Sequence, residues 1–314
     1  MSRRVRRRPQ PTHHVVQYSG GVGSWATAIR VREQRGLENL HLLFADTLIE
    51  DEDLYRFLIE SAADIFEVPC PEDLVERSRN LPPVEDETLE EDRKREILAI
   101  AAETSSAIPH LHWIAEGRDP WTLFKDRSFL GNARVDLCSE TLKRNLLRSW
   151  MEKNFSPRDT TAYIGIDWSE EHRFATALER WKPWHVEAPL CDPPLFAKQR
   201  FIDDLLARGV KQPRLYEMGY PHNNCGGFCV KAGMAHFKLL AQTQPERYAY
   251  HERKEQDLRE HLGKDVAILR DRSKSAKDAN DGKAKPLTLQ GLRLRLIEGG
   301  EVDEFDWGGC GCAI

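Results

Sequence analysis

The sequence lacks the long apolar segments and the charge excess that mark several large classes of protein. No apolar run approaches the roughly 20 residues that a transmembrane helix needs. The arginine-rich start is not followed by the apolar stretch of a secretory signal peptide. Lys and Arg number 46 against 51 Asp and Glu, a net charge of −5, so the chain as a whole is not typical of polyanion-binding proteins. We therefore expect a cytoplasmic protein with no membrane partner.

Cysteine is too scarce and too uneven for a disulfide framework. There are seven cysteines, an odd number, and in a reducing compartment clustered cysteines more often bind metal or carry out redox chemistry. Cys70 and Cys191 are interpreted as ordinary buried thiols. The others fall at positions where they could act together.

Alternating strand and helix signals occupy the first part of the chain. His14 to Tyr18 is a short β-prone run, and Trp25 to Arg35 is a helical segment closed by a glycine. Leu40 to Ala45 is a second apolar run, and Glu52 to Phe66 has apolar residues at helical spacing. This βαβα start predicts an α/β fold with a parallel sheet and right-handed crossovers.

The rest of the chain predicts further helices and three regions. Residues 71 to 93 are acidic and contain prolines, which predicts an exposed excursion. The other expected elements are helices near 89–104, 138–153, 169–181, 197–208, 231–261 with a break at Pro245, and 287–297, a strand at 161–166, and a linker at 271–285. We divide the chain into a basic disordered arm at 1–13, a nucleotide-binding α/β domain at 14–235, and a helical extension with a cysteine-containing tail at 236–314.

The first candidate site is the loop Ser19-Gly20-Gly21-Val22-Gly23-Ser24, between the first strand and the first helix. Glycines let backbone amides approach an anion closely, and the serines add hydroxyl donors. The start of the following helix favours negative charge. The loop therefore predicts a phosphate-binding site, although a Gly-Gly turn before a helix can also be only a tight turn.

Together with four further segments, this loop resembles the phosphoadenosine phosphosulfate (PAPS) reductase-like branch of the PP-loop ATP pyrophosphatases, the adenine nucleotide alpha hydrolase-like superfamily. The resemblance spans residues 14 to 235. The four segments are Phe44-Ala45-Asp46-Thr47, the run from Arg134 to Lys143 that contains Cys138-Ser139, Gly165-Ile166-Asp167 with Glu171 and Arg173, and Leu215-Tyr216 with Gly219 followed by Cys225 and Cys229. It implies a PP-loop domain that binds ATP or a related adenine nucleotide.

The resemblance also implies roles for single residues. The nucleotide would be held by Ser19, Gly20, Gly21, Gly23, Ser24, Asp46, Arg134, Gly165, Asp167 and Arg173, with Asp46 beside the adenosine. Lys143 would face phosphate or sulfate oxygens as a catalytic residue, and Arg side chains suit such oxygens because they offer a bidentate fork. Many relatives that use ATP have Asp where this loop has Gly23, which weakens the expectation of magnesium-assisted ATP cleavage.

The cysteines form the second candidate site. Cys225 and Cys229 can place two thiolates on one turn, and the resemblance implies that Cys138 joins them to bind a [4Fe-4S] cluster, with Cys312 or Cys310 as the fourth ligand. Zinc, bound by four thiolates or by three with His222, is an alternative, and so are metal-free thiols.

Cys310-Gly311-Cys312 near the end of the sequence is a third candidate. A terminal thiol could attack a bound sulfonucleotide, carry persulfide sulfur or bind a cluster, or the segment could be a passive tail. PAPS reductases resemble this chain in having a C-terminal catalytic cysteine. Their Glu-Cys-Gly-Ile-His-like ending is absent here, which argues against assimilatory reduction.

The expected function is adenylation-linked sulfur transfer (thiolation) by an enzyme that binds an adenine nucleotide near an iron–sulfur cluster. A thiol or sulfur donor protein would be one partner. A nucleic acid is the expected acceptor, held by the arginines of the N-terminal arm, which are Arg3, Arg4, Arg6, Arg7 and Arg8. The alternatives are an adenylyl-sulfate or phosphoadenylyl-sulfate reductase with a C-terminal Cys nucleophile, and a catalytically inactive nucleotide sensor. The oligomeric state stays open.

Overall fold

A parallel sheet of five strands organises the computed structural model, which describes residues 11–132, 134–135, 137–273, 276, 278 and 280–309. The strands are β1 (His13–Gln17), β2 (Leu40–Asp46), β3 (Leu111–Ala115), β4 (Thr160–Tyr163) and β5 (His185–Glu187), in the order β3-β2-β1-β4-β5. Every pairing between neighbours is parallel. The predicted α/β class with a parallel sheet is confirmed.

The strand order reverses beside β1. The chain runs from β1 outward through β2 to β3, then returns so that β4 pairs with the other side of β1. Helices that leave β1 and β4 therefore diverge to opposite sides, and a crevice opens between the carboxyl ends of these two strands. Ligands of open α/β sheets bind at such a switch point.

Helices cover both faces of the sheet because strand side chains alternate in direction. Val16 and Leu42 belong to one buried cluster, whereas Val15 and Leu43 belong to another. The helices on the first side are α1 (Val22–Arg35), α2 (Glu52–Phe66), α3 (Glu72–Arg79), α4 (Glu90–Ala107) and α8 (Lys198–Ala207). Those on the second side are α6 (Leu146–Asn154) and α7 (Phe174–Arg180).

A third buried cluster joins the C-terminal helices to the sheet domain. Ile49 and Leu215 pack there with Tyr248 and Leu289, so the extension shares its core with the preceding residues. The elements are α5 (Pro120–Asp126), α9 (Arg214–Glu217), α10 (Met234–Thr243), α11 (Pro245–Leu262), α12 (Leu289–Ile297) and the antiparallel pair β6 (Leu269–Asp271) and β7 (Lys285–Leu287). Short 3₁₀ helices occupy Glu87–Leu89, Trp168–Arg173, Pro189–Cys191 and Cys225–Gly227. A π-helix occupies Ser139–Asn145.

Two expectations about local structure are wrong in part. The segment 71–93 is not only an exposed excursion, since α3 buries Leu74 and Val75 against the first cluster. Arg93 is also buried, with Nη2 2.8 Å from a Glu52 carboxylate oxygen. The supposed linker 271–285 begins and ends in the β6–β7 pair. Pro245 does separate two helices, α10 and α11, as expected. In the described part of the chain, no helix combines the length and the apolar character needed to cross a membrane.

Candidate functional site

A cavity of about 590 Å³ lies at the carboxyl ends of β1 and β4, where the strand order reverses. The predicted phosphate loop forms one wall through Ser19, Gly21, Gly23 and Ser24. Of the other residues expected to hold the nucleotide, Gly165, Asp167 and Arg173 also line this cavity, and Lys143 joins them. The fold thus brings most of the predicted nucleotide-binding residues to one place.

The phosphate loop leads directly into α1, whose first helical hydrogen bond runs from the Trp25 amide to the Gly21 carbonyl over 3.1 Å. The amides of Val22, Gly23 and Ser24 lie before this first helical hydrogen bond and carry the positive end of the helix dipole, whereas the Gly21 amide donates to the Ser24 hydroxyl over 3.3 Å. The Ser24 hydroxyl donates to the same Gly21 carbonyl over 2.8 Å. The Ser19 hydroxyl donates to the Ser24 hydroxyl oxygen over 3.3 Å. The serines hold the loop in a shape suited to an anion. Gly20 does not line the cavity; its carbonyl accepts a hydrogen bond from Asn223.

Gly165 allows the end of β4 to approach this loop backbone to backbone. A Cβ at this position would lie 3.0 Å from the Ser24 amide nitrogen and 3.2 Å from the Gly23 carbonyl carbon. Any side chain there would push the loop away. Asp167, two residues later, accepts a hydrogen bond from the Ser169 amide over 2.8 Å and so holds the turn Trp168–Arg173 at the cavity.

Cationic side chains from separate elements line the cavity. Arg173 forms an ion pair with Glu170, three residues earlier. Lys198, at the start of α8, was not among the predicted site residues. Its ammonium donates to the Pro221 carbonyl over 2.8 Å and lies 4.2 Å from the centre of the Tyr216 ring. Burial lowers the pKa of Lys198 because it removes water from the charged form. These cations suit a ligand with several negative charges.

Lys143 lies between this first cavity and a second, smaller one. It lies in the π-helix, a distortion that often occurs at functional sites, and it lines both cavities. Its ammonium is 3.2 Å from an oxygen of the fully buried Glu50 carboxylate. Glu50 also accepts hydrogen bonds from the Thr47 hydroxyl, over 3.0 Å, and from the Cys225 amide. The Glu50 carboxylate therefore connects Lys143 to the cysteine turn.

The second cavity collects the three predicted metal-binding cysteines that the structure describes. Cys138, Cys225 and Cys229 line it together with Lys143 and Phe228. Cys225 and Cys229 are buried, and Cys138 is half-buried. The structure thus places Cys138 beside the Cys225–Cys229 pair, and metal binding by the three thiols stays a prediction.

A sharp turn at Gly226 places Cys225 and Cys229 on the same wall. Cys225, Gly226 and Gly227 all have positive φ, at 54°, 57° and 81°. A Cβ at Gly226 would lie 2.7 Å from the Ile49 carbonyl oxygen and closer still to Arg247, so the turn leaves no room for a side chain. The close packing fixes the two thiols relative to the strand β2 end.

These thiols are of the ligand type that iron–sulfur clusters require. Among the residues that the structure describes, no three His, Cys, Asp or Glu side chains are arranged to enclose one metal ion. In a [4Fe-4S] cluster each thiolate binds a different iron atom, so the ligand sulfurs need not converge on one point as they do around zinc. The space between the side chains is about 10 Å³, roughly that of one water, so binding would require them to move apart.

Besides Gly20, two more predicted nucleotide-binding residues, Asp46 and Arg134, do not line the cavity. Asp46 is fully buried, and it accepts hydrogen bonds from the Leu48 amide at 2.7 Å, the Trp113 indole at 2.9 Å and the Tyr55 hydroxyl at 3.1 Å. Burial raises its pKa to about 6. Asp46 therefore stabilises the turn after β2 from a buried position outside the cavity lining. Arg134 is exposed, with its amide bonded to the Asn132 side chain over 2.9 Å.

Gln17 and Asn223 line the cavity and were missed by the sequence reasoning. Their exposed fractions are 2% and 1%. Within the described chain, neither amide atom of Gln17 has a hydrogen-bond partner, and the same holds for Oδ1 of Asn223. Unpaired buried polar atoms also occur elsewhere in the described chain, but these three belong to residues that line the cavity, where a ligand could pair with them. A polar residue in the otherwise apolar run Val15–Tyr18 is the only signal that the sequence offers for Gln17.

The segment before the terminal cysteines also reaches this cavity. Trp307, Gly308 and Gly309 line it, and Gly308 forms a bridge with Ala232. Asp306 fixes the segment at the start of α10, since its carbonyl oxygen accepts a 3.0 Å hydrogen bond from the Ala235 amide. The candidate residues Cys310 and Cys312 lie outside the described residues, as do residues 1–10 of the predicted basic arm.

Comparison of the chain with protein-family models, with curated proteins and with solved structures finds no match.

Proposed function

We propose that this chain is a PAPS reductase-like PP-loop enzyme that binds an adenine nucleotide and carries out adenylation-linked sulfur transfer, assisted by an iron–sulfur cluster. One observation carries the proposal. The phosphate-loop cavity and the cavity of three cysteines share Lys143 as a lining residue. An anion site at a sheet switch point beside clustered thiols suits the joining of nucleotide and sulfur chemistry.

The residues of the larger cavity suit the activation half of this reaction. The amides at the start of α1, with Lys198 and Arg173, would neutralise the phosphates of ATP. An acceptor oxygen would attack the α-phosphorus, releasing pyrophosphate and leaving an adenylated acceptor. A hydrosulfide equivalent from the donor would then attack the activated carbon, and AMP would leave. Overall one C–O bond becomes a C–S bond, with no change in oxidation state of the acceptor.

The cysteine cavity would serve the sulfur half. Cys138, Cys225 and Cys229 would hold a [4Fe-4S] cluster, with Cys312 or Cys310 as the fourth ligand. When bound, the cluster would supply an iron site for sulfide once the fourth thiolate is displaced. Lys143 would orient an anionic group at the boundary between the cavities, while Glu50 fixes the position of its ammonium.

Anaerobic purification of the full chain, followed by iron, sulfide and zinc analysis and a visible spectrum, tests the cluster. We expect about four irons and four sulfides per chain and broad absorption near 400 nm. The purified protein is then incubated with ATP, labelled sulfide, and either bulk transfer RNA or duplex DNA. ATP-dependent label in the nucleic acid, with equal amounts of AMP and pyrophosphate, supports the proposal. Zinc alone, or nucleotide binding with neither product, contradicts it; the second result favours the inactive sensor.

One observation favours a second candidate, reduction of adenylyl sulfate or its 3′-phosphorylated form. Gly309, which immediately precedes Cys310 in the sequence, lines the nucleotide cavity. A thiolate there would attack the sulfur of the bound sulfonucleotide, taking over the sulfonate while AMP or its 3′-phosphorylated form leaves; a second thiol would release sulfite and form a disulfide. Changing Cys310 and Cys312 together to Ser should abolish sulfite release. Release that persists in the double variant excludes this candidate.

A further inference from the structure

The structure contains an unexplained polar group at the nucleotide cavity. Gln17 ends β1, two residues before the phosphate loop, and lines the cavity at 2% exposure. Neither Nε2 nor Oε1 has a hydrogen-bond partner in the described chain. Leaving a buried amide unpaired is costly, because both its donor and its acceptor lose their bonds to water. An unpaired amide can be tolerated in the ligand-free protein if a bound ligand supplies the missing hydrogen-bond partners.

The surroundings of Gln17 suit a flat, apolar group with a polar edge. Gln17 pairs with Leu43 in the register of β1 and β2, so both side chains lie on the same face of the sheet. Ala45 lies on that face as well, and Leu147 of α6 covers it. All four residues line the cavity. The wall near Gln17 is therefore aliphatic except for one amide.

Other parts of the lining have a different character. They include Lys198, His172, Glu170 and Arg173, and three of these side chains are charged. With phosphates at the amides of α1, the charged side chains suit the polyphosphate or the acceptor. The aliphatic residues beside Gln17 then remain for the base, whose faces are apolar and whose edge carries donors and acceptors.

We propose that Gln17 reads the edge of the adenine base, accepting from the exocyclic amino group through Oε1 and donating to the adjacent ring nitrogen through Nε2. This inference rests on the proposed nucleotide function, and it names the residue that determines base specificity. A glutamine amide and adenine present matching donor and acceptor pairs, and such bidentate pairs discriminate strongly between bases. The pairing would satisfy both amide atoms of Gln17 at once.

The test measures binding by calorimetry for wild type and Gln17→Leu, with ATP, GTP and inorganic pyrophosphate as ligands. Leucine keeps the approximate volume of the side chain and removes both polar atoms. We expect ATP affinity to fall about ten- to a hundredfold in the variant, while pyrophosphate affinity stays within about twofold. Wild type should prefer ATP to GTP, and Gln17→Leu should lose most of that preference.

A second measurement separates recognition from a structural role. Without ligand, Gln17→Leu should melt at the same temperature or about 1 to 4 °C higher than wild type, because an unpaired buried amide is removed. Gln199→Leu is the matched control, since Gln199 is exposed and bonds to Asp203. It should bind all three ligands as wild type does.

The outcomes distinguish the two proposals. If wild type binds neither ATP nor pyrophosphate, the proposed function fails. If wild type binds both and Gln17→Leu binds ATP equally well, only the role of Gln17 is overturned. An equal loss of ATP and pyrophosphate affinity, or a lower melting temperature without ligand, also overturns it, because either result would assign Gln17 to the structure of the loop.

Discussion

The two neighbouring cavities differ in size and in how their polar groups are satisfied. The nucleotide cavity has a volume of about 590 Å³, and its walls include buried amide atoms of Gln17 and Asn223 without partners in the described chain. The cysteine cavity has about 10 Å³, and Phe228 and Val230 are among its lining residues. Under the proposed function, the first cavity would bind a nucleotide that enters and leaves. The second would hold a group that stays bound and whose insertion moves the side chains.

Lys143 and Glu50 join these regions, which would otherwise be separate. Their ion pair is buried, with 3.2 Å between the ammonium nitrogen and the carboxylate oxygen. A buried pair is weak evidence for stability, because desolvation offsets much of the attraction. Its place between the two cavities gives it a positional role: Glu50 fixes the ammonium at the boundary and, through the Cys225 amide, also fixes the cysteine turn.

The largest expected effect is a loss of bound iron and sulfide that leaves ATP affinity nearly unchanged. Cys229→Ala should abolish bound iron and sulfide, since a cubane cluster rarely tolerates the loss of a thiolate ligand without an exchangeable substitute. ATP affinity should change less than threefold, because Cys229 does not line the nucleotide cavity. Iron analysis and calorimetry on anaerobic protein measure both. Cys70→Ala, a change to a half-buried thiol away from either cavity, is the control and should keep its iron.

Retention of a full iron complement by Cys229→Ala would remove this residue from the ligand set. Equal loss of iron and of nucleotide affinity would instead mean that the two regions depend on each other for folding.

The next largest effect is a loss of stability when the Lys143–Glu50 ion pair, at the junction of the two cavities, is broken. Lys143→Met should lower the free energy of unfolding by about 3 kcal/mol, because Glu50 would remain buried without its cationic partner. Chemical denaturation of the apo protein measures this loss. The double variant Lys143→Met with Glu50→Gln should regain at least half of it, since the uncompensated charge is gone. No recovery in the double variant would contradict the view that this pair is the main electrostatic bond at the junction.

A smaller effect is expected from the close contact behind the phosphate loop. Gly165→Ala would place a Cβ about 3.0 Å from the Ser24 amide nitrogen, so the loop must shift by a few tenths of an ångström. We expect affinity for ATP and for pyrophosphate to fall together, by about tenfold, because misplaced amides weaken anion binding. Iron content should be unchanged. Gly209→Ala, at a helix end with open space but a positive φ of 81°, shows what backbone strain away from the loop does to affinity. Unchanged pyrophosphate affinity would show that the loop does not hold phosphate.

The sequence predicted the elements and residues whose signals are local. The run His14–Tyr18, the glycine loop and the helical spacing of 52–66 are short-range patterns, and the structure has strands and helices there. β3 and β5 were missed because Leu111–Ala115 is short and contains His112 and Trp113, while β5 has three residues. Neither offers an apolar run that could be distinguished from a loop.

Features that depend on long-range packing were out of reach. Lys143 meets Glu50 across 93 residues of sequence, and Glu50 begins the acidic run 50–53, which gives no local sign of burial. The resemblance implies that Asp46 lies beside the adenosine, yet Tyr55 and Trp113 from other elements enclose it. A motif gives the position of a residue along a strand, whereas tertiary packing decides whether its side chain reaches the cavity or supports it from behind.

The smallest expected effect is a pH dependence confined to the nucleotide cavity. Burial lowers the pKa of Lys198 below its ordinary value of 10.5. Its ammonium attracts an anionic ligand only while protonated, and a bound anion raises the pKa again. Affinity for pyrophosphate is therefore full below the lowered pKa and falls as the pH rises through it, by up to about tenfold. Calorimetry between pH 7 and pH 10 measures the slope. Lys198→Arg, whose guanidinium stays charged throughout, should lose the part of the fall that Lys198 causes and keep only the change due to the ionisation of pyrophosphate itself. A slope as steep in Lys198→Arg as in wild type would show that Lys198 is not the group that titrates. Iron content should be independent of pH in both proteins because Lys198 does not line the cysteine cavity.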